Sequence, residues 1–175
     1  MLETIAIAAV VLTGALLAFA ATKPHTFRLQ RSITINAPPE KIFSLINDFK
    51  SWVAWSPWEK MDPALKRTYS GAAQGQRAVY EWNGNNQVGQ GRMEITESAP
   101  SSRIKIQLDF FKPFEAHNTA EFSLAGRDGS TNVTWAMYGP QPFMMRIMGV
   151  FCSPERMVGP QFETGLASLK TISEK

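Results

Sequence analysis

Ser153-Pro154-Glu155-Arg156-Met157-Val158-Gly159-Pro160-Gln161-Phe162-Glu163-Thr164-Gly165-Leu166-Ala167-Ser168-Leu169-Lys170-Thr171-Ile172 is the stretch whose reading decides the fold. Its apolar residues Val158, Phe162, Leu166, Leu169 and Ile172 recur three or four apart, which is one face of an α-helix. Ser153 supplies a capping hydroxyl, Pro154 suits the first helical position, and Glu155 puts a carboxylate at the positive end of the dipole. Pro160 lies inside the pattern and predicts a kink, because its ring meets the Arg156 carbonyl. Just upstream, Phe143 to Phe151 is apolar apart from Arg146 and Gly149. A short helix apolar all round must be covered by something.

Working outward, the chain before this helix reads mostly as strands. Thr26 to Asn36 alternates, with Phe27, Leu29, Ile33 and Ile35 among polar residues. Ala37-Pro38-Pro39-Glu40 ends that strand and opens a helix with a stripe of Ile42, Phe43, Leu45, Ile46 and Phe49. Trp52-Val53-Ala54-Trp55-Ser56-Pro57-Trp58 follows, with three of the five tryptophans in seven residues. These plug the core under a turn, or one of them, Trp55 especially, walls a cavity; an indole offers a large apolar face and one donor at its edge. Period two then holds in Lys66–Ser70, Arg77–Trp82, Arg92–Thr96, Arg103–Phe110, Glu115–Leu124 and Thr131–Tyr138. Asn83-Gly84-Asn85-Asn86 and Arg127-Asp128-Gly129-Ser130 are turns, and Gly89-Gln90-Gly91 marks a bulge or a close backbone approach. Short links between strands require a largely antiparallel sheet. One long helix after such a sheet must lie across one face, because neither surface can stay wet.

The amino terminus is different. Ile5 to Ala21 is apolar save for Thr13 and Gly14, and with Leu2 and Thr22 it reaches the ~30 Å of a hydrocarbon core. Residues 1–22 therefore read as a membrane anchor, 23–26 as a juxtamembrane linker and 27–175 as one folded domain. Ala18-Phe19-Ala20 offers the alternative of a cleaved signal, but the segment before the run carries Glu3 and no Lys or Arg. Lys23, Arg28 and Arg31 follow the run, which places the domain on the cytoplasmic side of a single-pass membrane protein. A cleaved segment would make it periplasmic or secreted.

Composition narrows the function. The 175 residues carry a net charge of +3, with Lys and Arg scattered rather than clustered, which argues against a nucleic-acid partner. The single cysteine, Cys152, excludes an internal disulfide framework and reads as a small buried hydrophobe. His25 and His117 lie 92 positions apart with no metal-ligand spacing around either, so no metal and no cofactor are expected. Neither a nucleophile elbow nor a phosphate-binding loop is present. Glu81, Arg92 and Tyr138 are the candidates for acid–base work; alternation turns Glu81 outward, and Arg92 could face inward past the Gly91 bulge.

The order β-α-strands-α, with the words Trp55-Ser56-Pro57-Trp58-Glu59-Lys60, Tyr80-Glu81-Trp82-Asn83-Gly84-Asn85, Val88-Gly89-Gln90-Gly91-Arg92-Met93 and Phe162-Glu163-Thr164-Gly165-Leu166, resembles the START-like or SRPBCC superfamily, in its polyketide cyclase/dehydrase and lipid-transport branch. The resemblance runs from about Phe27 to Lys175. It implies an α+β helix-grip fold, a curved antiparallel sheet of six or seven strands around the C-terminal helix, and no catalytic motif that carries over. The cavity-facing set expected from this sequence is Trp55, Tyr80, Trp82, Arg92, Phe110, Phe122, Trp135, Met137, Met144, Met148 and Phe162. Such a lining suits a hydrophobic molecule such as a lipid, quinone or polyketide-like ring. Three functions are then open: a membrane-tethered binding or transport module, a cyclase or dehydratase using the same cavity, and an interaction module with a filled core.

Overall fold

The computed structural model describes residues 1–151 and 153–175, so the reading of Cys152 lies outside the described residues. Helix α1 (Leu2–Ala21) leads into strand β1 (Thr26–Ile35) and helix α2 (Pro39–Asn47). Two 3₁₀ turns, Phe49–Ala54 and Pro57–Lys60, carry the tryptophan cluster. Six strands follow: β2 (Lys66–Gly71), β3 (Ala78–Asn83), β4 (Gln90–Ala99), β5 (Arg103–Lys112), β6 (Ala116–Arg127) and β7 (Ser130–Pro140). Helices α3 (Phe143–Phe151) and α4 (Pro154–Ser173) close the chain.

The seven strands form one antiparallel sheet in the order β1-β7-β6-β5-β4-β3-β2. Every neighbour except β1–β7 is joined by a short turn, so alternation alone fixes which residues face α4. Ile104, Ile106 and Leu108 on β5, and Phe122 and Leu124 on β6, point to the helix side and are buried. A one-residue slip would expose all of them. Gly91 lets β3 and β4 approach, since a Cβ there would lie 2.4 Å from the Trp82 ring. The register shifts beside it, between Gln90 and Gly91.

α4 crosses the concave face with Phe162, Leu166 and Leu169 inward and almost fully buried. Ser153 caps it by accepting from the Arg156 amide, and the helix continues through Pro160. Lys170 donates to the Thr34 carbonyl at 2.7 Å, and Glu174 accepts from the Asn36 amide at 2.7 Å, which moors the far end of α4 beside β1. Gly165 lets the helix lie close, because a Cβ there would sit 2.8 Å from Trp135. Trp135 stacks on Phe162 with centroids 4.1 Å apart and planes 10° apart. A pair of this kind adds about 0.5–1.5 kcal/mol beyond its buried area.

The tryptophans also solve a backbone problem. The last carbonyls of α2 have no partners within the helix. Trp52 Nε1 donates to the Ile46 carbonyl at 2.9 Å, and Trp55 Nε1 donates to the Leu45 carbonyl at 3.1 Å.

α1 is long and apolar enough to cross a membrane: Glu3–Ala21 has a mean hydropathy of 2.4 and is 6% buried. Its carboxyl end packs against α3. Arg146, the one charge in α3, is buried at 8% exposure and donates to the Lys23 carbonyl at 3.2 Å. α3 is therefore covered on one side only, with Phe143, Met144 and Met148 exposed.

Candidate functional site

Between α4 and the sheet lies a cavity of about 300 Å³. The sheet contributes Tyr80 and Trp82 from β3, Met93 from β4, Leu108 and Phe110 from β5, Ala120 from β6, and Trp135 and Met137 from β7. Met157, Val158, Gln161 and Phe162 close it from α4, and Trp52, Ser56, Trp58, Glu59, Met61 and Leu65 close it from the aromatic turns. Its mouth lies where Gln87, Val88, Lys112 and Pro113 of two hairpin loops face the start of α4. The hollow exists because α4 is one helix wide while the sheet curves around it, so β3 to β5 stand clear of the helix.

Six of the eleven residues expected to face the cavity line it: Tyr80, Trp82, Phe110, Trp135, Met137 and Phe162. The other five are placed elsewhere. Trp55 and Phe122 are fully buried in the solid part of the core, packed edge-to-face with centroids 6.0 Å apart. Trp55 is drawn there by its bond to the end of α2, and Trp52 and Trp58 take the wall instead. Arg92 stands on the outer face of β4, paired with Glu94 at 2.6 Å, because the bulge falls one residue earlier and leaves its alternation intact. Met144 and Met148 lie on α3, outside the grip and exposed. The other acid–base candidates also point away: Glu81 is exposed, and Tyr138 donates to Glu121 at 2.9 Å on the outer face, under the Arg28 guanidinium.

One polar group within the wall escaped the sequence reading. Glu59 is buried at 9% exposure and lines the cavity. Its Oε1 accepts from the Tyr80 hydroxyl at 2.6 Å and its Oε2 from Arg67 Nε at 2.6 Å. Burial first, and then the bond to Glu59, push the Tyr80 hydroxyl far above its ordinary range, so it stays a neutral donor. Arg67 lies behind, less than a third exposed, and balances the carboxylate charge. Asp62 ties the rim together, accepting from the Asn85 amide at 2.7 Å and the Ala64 amide at 2.9 Å. The Trp135 indole N–H is buried in the wall without a hydrogen-bond partner. Among the described residues no three His, Cys, Asp or Glu side chains gather as a metal site would require.

Residues 26–174 match the family model described as polyketide cyclase / dehydrase and lipid transport. The chain belongs to this family. No curated protein matches the sequence. Solved structures share the fold. A Chromobacterium violaceum protein is similar at a TM-score of 0.60 and 16% identity, over 87% of this chain and 99% of its own. A Thermobifida fusca protein is similar at a TM-score of 0.61 and 21% identity, over 82% and 90%. The Aha1 dimer from Colwellia psychrerythraea is similar at a TM-score of 0.57 and 19% identity, over 85% and 96%. At these identities the likeness concerns the fold alone, and members of one fold carry unrelated activities. Membership in this family points to a module that binds a hydrophobic ligand.

Proposed function

We propose that this protein is a membrane-tethered binding or transport module for a hydrophobic small molecule, a lipid, quinone or polyketide-like ring, taken up by the cavity between β3–β7 and α4. The observation that carries the reading is the lining: about 300 Å³ walled by Tyr80, Trp82, Phe110, Trp135, Met137 and Phe162, with one neutralised polar cluster. A cavity of that size lies at the lower end for small ligands and suits a compact ring or a short chain. Tyr80 and Glu59 would meet a polar substituent, and the Trp135 N–H is a donor awaiting an acceptor. Residues 1–22 would be the tether, 23–26 the linker and 27–175 the domain. Lys23, Arg28 and Arg31 favour the cytoplasmic side.

The test is solvent extraction and mass spectrometry of the full chain, purified in parallel with Ala120→Phe, which fills the cavity from β6. A species carried by the natural protein and lost from the variant is the expected outcome. Identical extracts would refute the reading, since bulk lipid around α1 contributes equally to both. Protease added outside spheroplasts should spare the domain if it faces the cytoplasm.

A second reading is a cyclase or dehydratase that folds a reactive substrate in the same cavity. What favours it is the buried Tyr80–Glu59 pair in the wall, since Arg92, Tyr138 and Glu81 all face away. Conversion of a bound polyketide-like substrate, lost in Glu59→Gln with binding retained, would select it over a carrier.

A further inference from the structure

Large apolar side chains are distributed unevenly over the surface. Among the described residues beyond position 25, eight are exposed: Val53, Tyr69, Phe111, Phe114, Phe143, Met144, Met148 and Met157. All but Val53 and Tyr69 belong to three segments, the end of β5 with the loop after it, α3 and the first turn of α4. The antiparallel register puts those segments at one end of the sheet. β5 ends and β6 begins there, and Thr119 of β6 pairs with Tyr138 near the end of β7, from which α3 departs. β1 begins at the same end, with Thr26 opposite Pro140, and the Gln141 amide donates to the His25 carbonyl at 2.7 Å. α1 therefore enters the domain at this pole, and Arg146 of α3 donates to the carbonyls of Ala21, its last residue, and Lys23, just beyond it. The cavity mouth, framed by Lys112, Pro113 and Met157, opens there too. The opposite pole is polar: the β4–β5 hairpin carries the Arg103–Glu97 ion pair, and the β6–β7 turn carries Arg127 and Asp128.

We infer that the pole bearing Phe114, Met144 and Met157 is a bilayer-docking surface, which sits in the headgroup region of the membrane entered by α1 and seals the cavity mouth against it. Three features select a bilayer over a protein partner. The patch is continuous with α1, so the lipid surface lies beside it whenever α1 is inserted. Lys23, Lys112 and Arg156 flank it in the chain, and of the nearby acids Asp109, Glu115 and Glu155, Asp109 is engaged by His117 and Glu155 by Arg31, which leaves the sign that an anionic leaflet attracts. α3 is short and apolar but for Arg146, which is turned inward, so Phe143, Met144 and Met148 present an uncharged apolar face outward, of the kind that an interface buries. A ligand crossing from bilayer to cavity would then avoid bulk water. This inference rests on the tether proposed above.

The experiment uses the full chain with Cys152→Ser, reconstituted in phosphatidylcholine vesicles containing phosphatidylglycerol. Single cysteines replace Phe114, Met144, Met157, Asp128 and Val10, and each carries a nitroxide. Relaxation by oxygen against that by a water-soluble nickel chelate reads depth. Positions 114, 144 and 157 are expected below the phosphates, several-fold less accessible to nickel than position 128. If they match position 128 while position 10 is buried, the docking surface is refuted and the tether stands. If position 10 is itself in water, tether and docking fall together.

Discussion

Tyr80 donates its hydroxyl to Glu59 Oε1 at 2.6 Å from within the cavity wall, and Arg67 holds the other carboxylate oxygen at the same distance. The three form a chain from ligand space to surface in which each charge has a partner. Tyr80→Phe keeps the ring and leaves one carboxylate oxygen unbonded in an apolar wall. That should cost about 1–3 kcal/mol, read as a lower urea midpoint at unchanged slope. Glu59→Gln can still accept from Tyr80 but turns its amide N–H₂ on Arg67 Nε, donor against donor, and should lose at least as much. A Tyr80→Phe protein as stable as the natural one would mean that water already serves Glu59.

Gly91 and Trp82 oppose each other across β3 and β4, and a side chain at position 91 would occupy the indole's place. Gly91→Val should drive Trp82 toward the cavity, force β4 off the Asp109 carbonyl of β5, and cost about 3 kcal/mol or more by overpacking. The check is a chemical denaturation curve together with tryptophan emission, which should shift as Trp82 moves. Retention of both would show that the strands separate freely at the bulge.

How far the sequence revealed these relationships depended on whether the segment had a period. The strands alternate, so Tyr80, Trp82, Phe110, Trp135 and Met137 could be assigned to the concave face from spacing alone, and Phe162 from the helical repeat. Trp52, Trp55, Trp58 and Glu59 sit in 3₁₀ turns too short to show a repeat. Which indole faces the hollow is decided there by a remote demand, the unpaired carbonyls of Leu45 and Ile46. The pairing of Glu59 with Arg67 and Tyr80, eight and twenty-one residues away, leaves no local trace. Met144 and Met148 misled because an apolar run reads the same whether it is covered by protein or left exposed.

His117 Nδ1 lies 2.8 Å from Asp109 Oδ1 on the outer face near the cavity mouth. The hydrogen bond to Asp109 raises the His117 pKa above its ordinary 6.5, with Glu115 adding to the effect. Asp109 is lowered: burial opposes this, but bonds from Gln107 and His117 outweigh it, so it stays ionised as His117 titrates. A raised histidine stabilises the fold fully below about pH 6.5, and that contribution fades as pH climbs through the folded value. His117→Asn should flatten stability against pH in this window. The imidazole proton resonances of the natural protein, followed through titration, should report a midpoint above 6.5; a midpoint at or below it would remove the ion pair.

Arg146 is the joint between α1 and the domain. Its guanidinium reaches the carbonyls of Lys23, at 3.2 Å, and Ala21, at 3.4 Å, and a cation there also complements the negative end of α1. Its Nε is buried without a partner, so the residue is not optimised for stability. Arg146→Met keeps the apolar stem, removes the donors and lets water serve the carbonyls of two exposed residues. Global stability should therefore change by less than about 1 kcal/mol. The joint itself should loosen: amide hydrogen exchange at residues 22–28 and 143–150 should speed up at least tenfold, with β5 and β6 unaffected. Exchange unchanged at the joint would mean that α3 is held by its apolar contacts alone, and a loss of protection throughout the sheet would make Arg146 a core residue rather than a connector.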